Sequence, residues 1–248
     1  MKSIALLPAR LASTRLPEKM LADLAGKPLI VRSWEAVSAT GLFDEVWIVT
    51  DHERIFAAAQ AHHARVCMSR ADHPSGSDRL AEIASQRPEV DIIVNVQGDE
   101  PFTRKESLEA LMACFKDPKV QVASLCCRIT QKADFENPNL VKVVKNQLGD
   151  ALYFSRAPIP YPREGVAESL HFEAWQHIGI YGYKREVLLQ FTQWPAAALE
   201  DIEKLEQLRL LQHGINIRMA EVQEKSIGID TLQDLEQARQ HFSDRERK

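Results

Sequence analysis

Glycine is scarce where a phosphate-binding loop would use it. The chain has only 10 glycines in 248 residues, and none precedes Gly26. The first apolar run, SIALLP, is therefore not followed by the G-x-G-x-x-G element of a dinucleotide-binding turn, which excludes a nicotinamide dehydrogenase of that type. Cysteine is also sparse. Cys67, Cys114, Cys126 and Cys127 have no CxxC spacing and no histidines at zinc spacing, so neither a metal module nor a disulfide framework is expected. Adjacent residues on a strand face opposite ways, so Cys126 and Cys127 are expected as buried free thiols. No apolar stretch approaches the roughly 18 residues of a membrane span, and the opening apolar patch is too short for a signal peptide. A cytoplasmic protein is expected. A net charge of −4 gives no general attraction to nucleic acid or to membranes.

What is present is an ordinary core-forming composition, 45% hydrophobic and 27% charged, expected to fold as a single domain over 1–248. Positive charge is concentrated at the start. Lys2, Arg10, Arg15, Lys19, Lys27 and Arg32 face only Glu18 and Asp23 in the first 32 residues, which points to a site for a small anion.

The first half alternates apolar runs with helical spacing. SIALLP, EVWIVT and IIVNVQ read as buried strands, with helices predicted over 28–40, 52–63 and 75–86. That alternation predicts an α/β fold with a doubly wound, mostly parallel nucleotide-binding sheet. In such sheets ligands bind beyond the carboxyl ends of the strands. The segments placed there are Pro8-Ala9-Arg10, TDH (50–52) and QGDEP (97–101). In the second half, VQVASLCCRI, VKVVKN and ALYFSR follow one another too closely for crossover helices. An inserted antiparallel lobe is expected over roughly 120–185. HIGIYGY reads as a strand, REVLLQFTQW and LEDIEKLEQLRLLQHG as helices, the latter stopped by Gly214. INIRMAEV is a further strand, and Thr231 with Asp234 caps a last helix, leaving SDRERK as a frayed tail.

Several residues in this frame carry chemistry. Arg10, Arg15 and Lys19 recur at spacings of five and four after a buried strand. Arginine forks match phosphate oxygens with paired donors, and Ala9, Ala12 and Ser13 are small enough to let a polyphosphate approach without glycine. Asp99 follows a strand and a glycine, which leaves its carboxylate exposed at the strand end. Magnesium takes one or two such carboxylates and completes its shell from phosphates and water. Glu100 is a weaker candidate, and Asp230 in SIGIDT is the expected second carboxylate. The RADHPSGSDRL segment, residues 70–80, has the Ser/Gly/Ser and Asp78 content of a turn that caps and opens a helix, whose N-terminal N–H groups and partial positive charge suit it further to grip a nucleotide base or sugar. In LEDIEKLEQLRLL, Glu203, Glu206 and Gln207 fall on one polar stripe, and His177 begins a strand.

Taken in order, LLPARLASTRLPEKM, AGKPLI, VTDHE, CMSRADHPSGSDRL, IVNVQGDEP, ALYFSRAPIP, HIGIYGY, IEKLEQLRLL and GIDTLQDLE resemble the acidic-sugar cytidylyltransferases, from residue 4 to about 239. The pattern is most similar to members acting on the eight-carbon sugar acid KDO. The resemblance implies Mg²⁺-dependent transfer of CMP from CTP to the anomeric hydroxyl of KDO, with pyrophosphate released, in lipopolysaccharide biosynthesis. It also implies a homodimer formed through the second lobe. By that resemblance Pro8, Ala9, Arg10, Arg15 and Lys19 hold the triphosphate, and Arg70, Ala71, Asp72, Ser75 and Gly76 grip the cytidine. Asp99 and Asp230 hold the metal. Gln97, Arg156, His177, Tyr181, Glu203 and Gln207 surround the sugar, with Arg10, Lys19, Asp99 and Asp230 catalytic. The partners are then CTP and an acidic eight-carbon sugar, with no nucleic acid and no membrane. Alternatives of the same chemistry use 8-amino-KDO or sialic acid; an alternative of another class binds CTP without turning it over. Two features depart from the family pattern: Glu18 stands where glycine is usual, and EKSIGID lacks the usual Pro-Gly run before Asp230.

Overall fold

The computed structural model describes residues 1–13, 16–167, 169–223 and 228–246. The chain divides into two compact units, Met1–Lys105 with Ser226–Lys248, and Glu106–Lys225.

The first unit opens with β1 (Ser3–Ala9), a short hairpin of β2 (Asp23–Leu24) and β3 (Lys27–Pro28), and α1 (Leu29–Ser38). Then come β4 (Glu45–Thr50), α2 (Glu53–Ala61), β5 (Val66–Met68), α3 (Gly76–Ser85) and β6 (Ile92–Asn95). β1 pairs in parallel with both β4 and β6, and β4 pairs in parallel with β5, giving the order β6-β1-β4-β5. Ile4, Leu6, Ile48, Val49, Ile93 and Val94 are fully buried, which is why these strands read as continuous apolar runs rather than alternating ones. The chain runs outward from β1 through β4 and β5, then returns to the other side of β1 as β6. The β1/β6 boundary is therefore the switch point of the sheet, where ligands of such folds lie.

In the second unit, α4 (Lys105–Ala113) precedes β7 (Val122–Gln131), α5 (Lys132–Glu136), β8 (Lys142–Lys145), β9 (Ala151–Ser155) and the long β10 (Ser169–Lys184). α6 (Arg185–Phe191), α7 (Ala198–Glu203), α8 (Leu208–Gln212) and β11 (Ile217–Val222) follow. β10 is antiparallel to β7 and β8, β8 is antiparallel to β9, and β11 runs parallel to β7. The expected antiparallel segment is thus present. β10 begins eight residues before HIGIYGY, because its first half alternates too irregularly to read as a strand.

The chain then returns to the first unit as α9 (Leu232–Glu246). Thr231 and Asp234 form the expected reciprocal cap, with Asp234 N donating to Thr231 Oγ1 at 3.2 Å and Thr231 N to Asp234 Oδ2 at 2.8 Å. Leu235 and Ala238 of α9 pack with Leu24, Leu29 and Ile229 in one buried cluster.

Two expectations need correction. The helix read over 199–214 is broken. Lys204 adopts φ 53, ψ 48, which ends α7, and α8 starts only at Leu208. A left-handed residue is incompatible with a continuing right-handed helix. Glu203 and Gln207 therefore do not share a stripe. SDRERK is helical as far as Glu246, and residues 247–248 lie outside the described residues. No helix among the described residues is long and apolar enough to cross a membrane. The four cysteines are free, and burial pushes the Cys126 thiol up to about 12.

Candidate nucleotide and metal site

The carboxyl end of β1 and the turn after β6 are drawn together by packing. A Cβ on Gly98 would stand 2.8 Å from Ile30 Cδ1 and 3.0 Å from the Pro8 carbonyl oxygen, so only glycine allows this approach. That contact fixes the next residue, Asp99. Its carbonyl accepts from Ile229 N at 3.0 Å, which brings in Asp230 across more than a hundred residues of sequence. The buried Ile229 behind it anchors this segment to the α9 cluster.

Lys19 completes the group. Its ammonium donates to Asp99 Oδ2 at 2.5 Å and to Asp230 Oδ1 at 3.0 Å. The residue is buried, and burial alone would lower its pKa. The two carboxylates outweigh that and hold the ammonium above the usual lysine range. Two carboxylates converging on one small cation are the donor set that a hard divalent ion accepts, so the residues fit magnesium. Among the described residues no cluster of three or more His, Cys, Asp or Glu could hold a metal. Any ion here would take its other oxygens from substrate and water.

A cavity of about 370 Å³ opens beside this group, walled by Pro8, Arg10, Lys19, Gly76, Gln97 and Asp230 among others. Arg10 is exposed, and one of its guanidinium nitrogens donates to the His73 carbonyl at 3.0 Å. Arg15 lies outside the described residues. Ser75 caps α3 through a reciprocal pair with Asp78: Asp78 N donates to Ser75 Oγ at 3.3 Å and Ser75 N to Asp78 Oδ2 at 3.1 Å. Gly76, first in that helix, sits against Pro8, where an added Cβ would lie 3.6 Å from the proline ring. Arg70, Ala71 and Asp72 are exposed on the segment leading into α3, with Arg70 Nε 3.3 Å from Asp72 Oδ1. Pro8, Arg10, Lys19, Gly76, Gln97 and Asp230 are therefore brought together.

Glu18 does not intrude. It has φ 52, ψ 31, the conformation that glycine adopts most readily, which gives a physical reason for glycine at this position in the family pattern. Both Glu18 carboxylate oxygens are gripped by the two terminal nitrogens of Arg54, one pair at 2.7 Å. The Arg54 guanidinium holds that carboxyl below the usual range. As for the other departure, Glu224–Ile227 lie outside the described residues, while Asp230 is held as described above.

The second unit carries the remaining candidates. Glu203 turns back from the end of α7, with Oε1 accepting from Ser155 Oγ at 2.6 Å and Oε2 from Arg156 N at 2.9 Å. Arg156 Nε donates to the Glu203 carbonyl at 2.9 Å, and its terminal nitrogens to the carbonyls of Pro138 at 3.2 Å and Lys204 at 3.5 Å. Among the described residues, three of the five guanidinium N–H groups are thus committed. His177 and Tyr181 flank a bulge in β10, their ring centroids 5.3 Å apart. Ser124 Oγ lies 3.1 Å from His177 Nε2 and within 3.1 Å of the Ile178 and Ile180 carbonyls, so its single proton is already contested. Among the described residues, Gln207 Nε2 is buried without a hydrogen-bond partner. Burial, with Tyr183 and Glu206 nearby, pushes the Tyr181 phenol well up, and burial drives the His177 imidazole down to about 3. A buried unpaired donor costs free energy unless something else meets it.

Sequence reasoning missed two buried cations that hold these sites. Arg79, fully buried in α3, pairs with Asp51 at 2.9 Å and donates to Ser69 Oγ at 2.6 Å, tying the ends of β4 and β5 to the helix that carries Gly76. Lys142, fully buried in β8, donates to the carbonyls of Asn137, Leu140 and Arg156 at 2.8, 2.6 and 2.7 Å. Its only sequence signal was a lysine with apolar neighbours on both sides.

A parallel sheet with a cationic, carboxylate-bearing cavity at its switch point defines a nucleotide-binding α/β protein. The family model described as cytidylyltransferase matches residues 4–221, and the chain belongs to that family of nucleotidyltransferases. A relative named 3-deoxy-manno-octulosonate cytidylyltransferase from Flavobacterium johnsoniae is 49% identical over 247 residues, covering 98% of this chain and 100% of its own. One of the same name from Escherichia coli is 45% identical over 239 residues, covering 96% of this chain and 95% of its own. Among solved structures, CMP:2-keto-3-deoxy-manno-octonic acid synthetase complexed with CTP superposes with a TM-score of 0.91 at 43% identity, covering 99% of this chain and 100% of that one. A cytidylyltransferase from Leptospira borgpetersenii shares the fold, with a TM-score of 0.65 at 15% identity over 98% of this chain and 87% of that one.

Proposed function

We propose that the chain transfers CMP from CTP to the anomeric hydroxyl of KDO with Mg²⁺ present. The sugar oxygen forms a bond to the α-phosphorus, and the bond from that phosphorus to the bridging oxygen of the β-phosphate breaks as pyrophosphate leaves. The observation that carries this reading is the meeting of Lys19, Asp99 and Asp230 at the edge of a cavity walled by Arg10 and Gly76. Full-length relatives named for this activity support it.

In this reading Arg10, Arg15 and Lys19 offset the triphosphate charge, and the N-terminus of α3 at Ser75–Gly76 helps the Arg70–Asp72 segment hold the cytidine. Charge neutralisation and alignment are what an in-line displacement requires, with little covalent work by the protein. Asp99 and Asp230 would hold Mg²⁺, which when bound neutralises phosphate charge and lowers the pKa of a coordinated oxygen. In the second unit the Arg156 guanidinium suits the KDO carboxylate, and Tyr181, Glu203 and Gln207 suit its hydroxyls. Gln97 and His177 belong to the same assignment, His177 in its neutral form. We further assign the protein to the cytoplasm and to lipopolysaccharide biosynthesis, as a homodimer. The test is pyrophosphate release from CTP with Mg²⁺ and each candidate sugar acid: release with KDO is expected, and CTP binding without release would refute the reading.

A further inference from the structure

Lys19 occupies the position between the two carboxylates that the proposed metal requires. Its nitrogen lies 2.5 Å from Asp99 Oδ2 and 3.0 Å from Asp230 Oδ1, and the residue is only 8% exposed. A magnesium ion taking the same two oxygens needs them at about 2.1 Å, so the ammonium and the ion compete for one place. Two carboxylates this close repel each other, so a cation shared between them is favoured. Lys19 also lines the cavity, on a side chain with four rotatable bonds, and Arg10 shares that wall. An anionic ligand placed there offers the ammonium a second partner without leaving it uncompensated.

We propose that Lys19 and a divalent cation are alternative occupants of the Asp99–Asp230 pair, exchanged when an anionic nucleotide draws Lys19 away. The inference rests on the reading that this pair takes a metal. Lys19 then does two things: it neutralises the carboxylates until the nucleotide arrives, and it makes metal entry conditional on nucleotide. Metal and nucleotide affinities are coupled as a result, and by linkage each raises the other by the same factor. The coupling restricts metal uptake in the absence of nucleotide.

The experiment measures Mn²⁺ binding to the nucleotide-free protein, by electron paramagnetic resonance of the free ion, for wild type, Lys19→Met and the Asp99→Asn/Lys19→Met double variant. Removing a unit positive charge about 4 Å away is worth more than a factor of ten at the effective dielectric of a partly buried site. Lys19→Met is therefore expected to bind Mn²⁺ at least about ten-fold more tightly than wild type, and the gain should vanish when Asp99→Asn is added. Lys19→Gln, a neutral polar replacement, carries the same expectation and serves if the methionine variant does not fold. Equal Mn²⁺ affinity in wild type and the folded lysine variant would overturn the exchange. A parallel titration with CTP separates that failure from a failure of the underlying assignment. Mn²⁺ bound by wild type with CTP and lost in Asp99→Asn upholds the metal site even where exchange is overturned. Identical Mn²⁺ binding by wild type and Asp99→Asn with CTP overturns both.

Discussion

Replacing Lys142 with methionine removes a fully buried cation that holds the Arg156 carbonyl, while keeping the length of the side chain. The Lys142 ammonium satisfies three carbonyls, those of Asn137, Leu140 and Arg156, at 2.6–2.8 Å. Each carbonyl left unpaired in a buried place costs roughly 1–3 kcal/mol, while release from burying a charge returns several kcal/mol. The three losses outweigh that return, and a net destabilisation of about 3 kcal/mol is expected, the scale of other broken buried networks. For a chain of this size that lowers Tm by roughly 6–12 °C, at about 2–4 °C per kcal/mol. Arg156 loses the anchor on its own carbonyl, so its fork drifts. The KM for the sugar is then expected to rise while that for CTP stays within two-fold. Scanning calorimetry and initial-rate kinetics read both quantities. A Tm within about 2 °C of wild type, together with an unchanged sugar KM, would refute the reasoning.

Other outcomes follow from the same geometry. Asp99→Asn and Asp230→Asn should each lower kcat about a hundred-fold or more while shifting Tm only slightly, because Lys19 keeps one carboxylate; full activity in either would remove the two-carboxylate site. Glu203→Ala should raise the KM for the sugar, since Arg156 and Ser155 lose their common acceptor, and an effect confined to the KM for CTP would contradict its assignment. Glu18→Gly should leave turnover and CTP affinity within about two-fold, because glycine tolerates φ 52 and the acid is held by Arg54 away from the cavity; a large loss would show that Glu18 acts on the nucleotide. The His177 pKa, about 3 in the fold against 6.5 in the unfolded chain, means the unfolded state binds more protons between those values. Stability should fall as pH drops below 6.5, by about 1.4 kcal/mol per unit from this residue. Urea midpoints at pH 7 and 5 should draw closer in His177→Gln, and an unchanged gap would sink the assignment.

β1 and β6 were legible because both of their faces are buried, so their sequences are plain apolar runs between polar turns. The cap at Thr231–Asp234 was legible because its two partners lie within three residues. The break at Lys204 was not. A lysine in the left-handed region carries no local mark, and what accompanies it is a set of contacts from Arg156 to the Glu203 and Lys204 carbonyls, 47 and 48 residues away. The site divides in the same way. Arg10, Lys19, Asp99 and Asp230 could each be placed at a strand end or a loop from local pattern. That Lys19 lies between the two carboxylates depends on Gly98 packing against Pro8 and on Ile229 bonding to Asp99, and neither is visible along the chain. Lys142 and Arg79 show the limit most clearly, because a buried cation looks like any other surface charge until its acceptors are known.

The most direct test of the central claim is pyrophosphate release from CTP with Mg²⁺ and a panel of KDO, 8-amino-KDO and sialic acid. Release with KDO, abolished by chelating the metal, is the predicted result. Tight CTP binding with no release from any of the three would contradict the account.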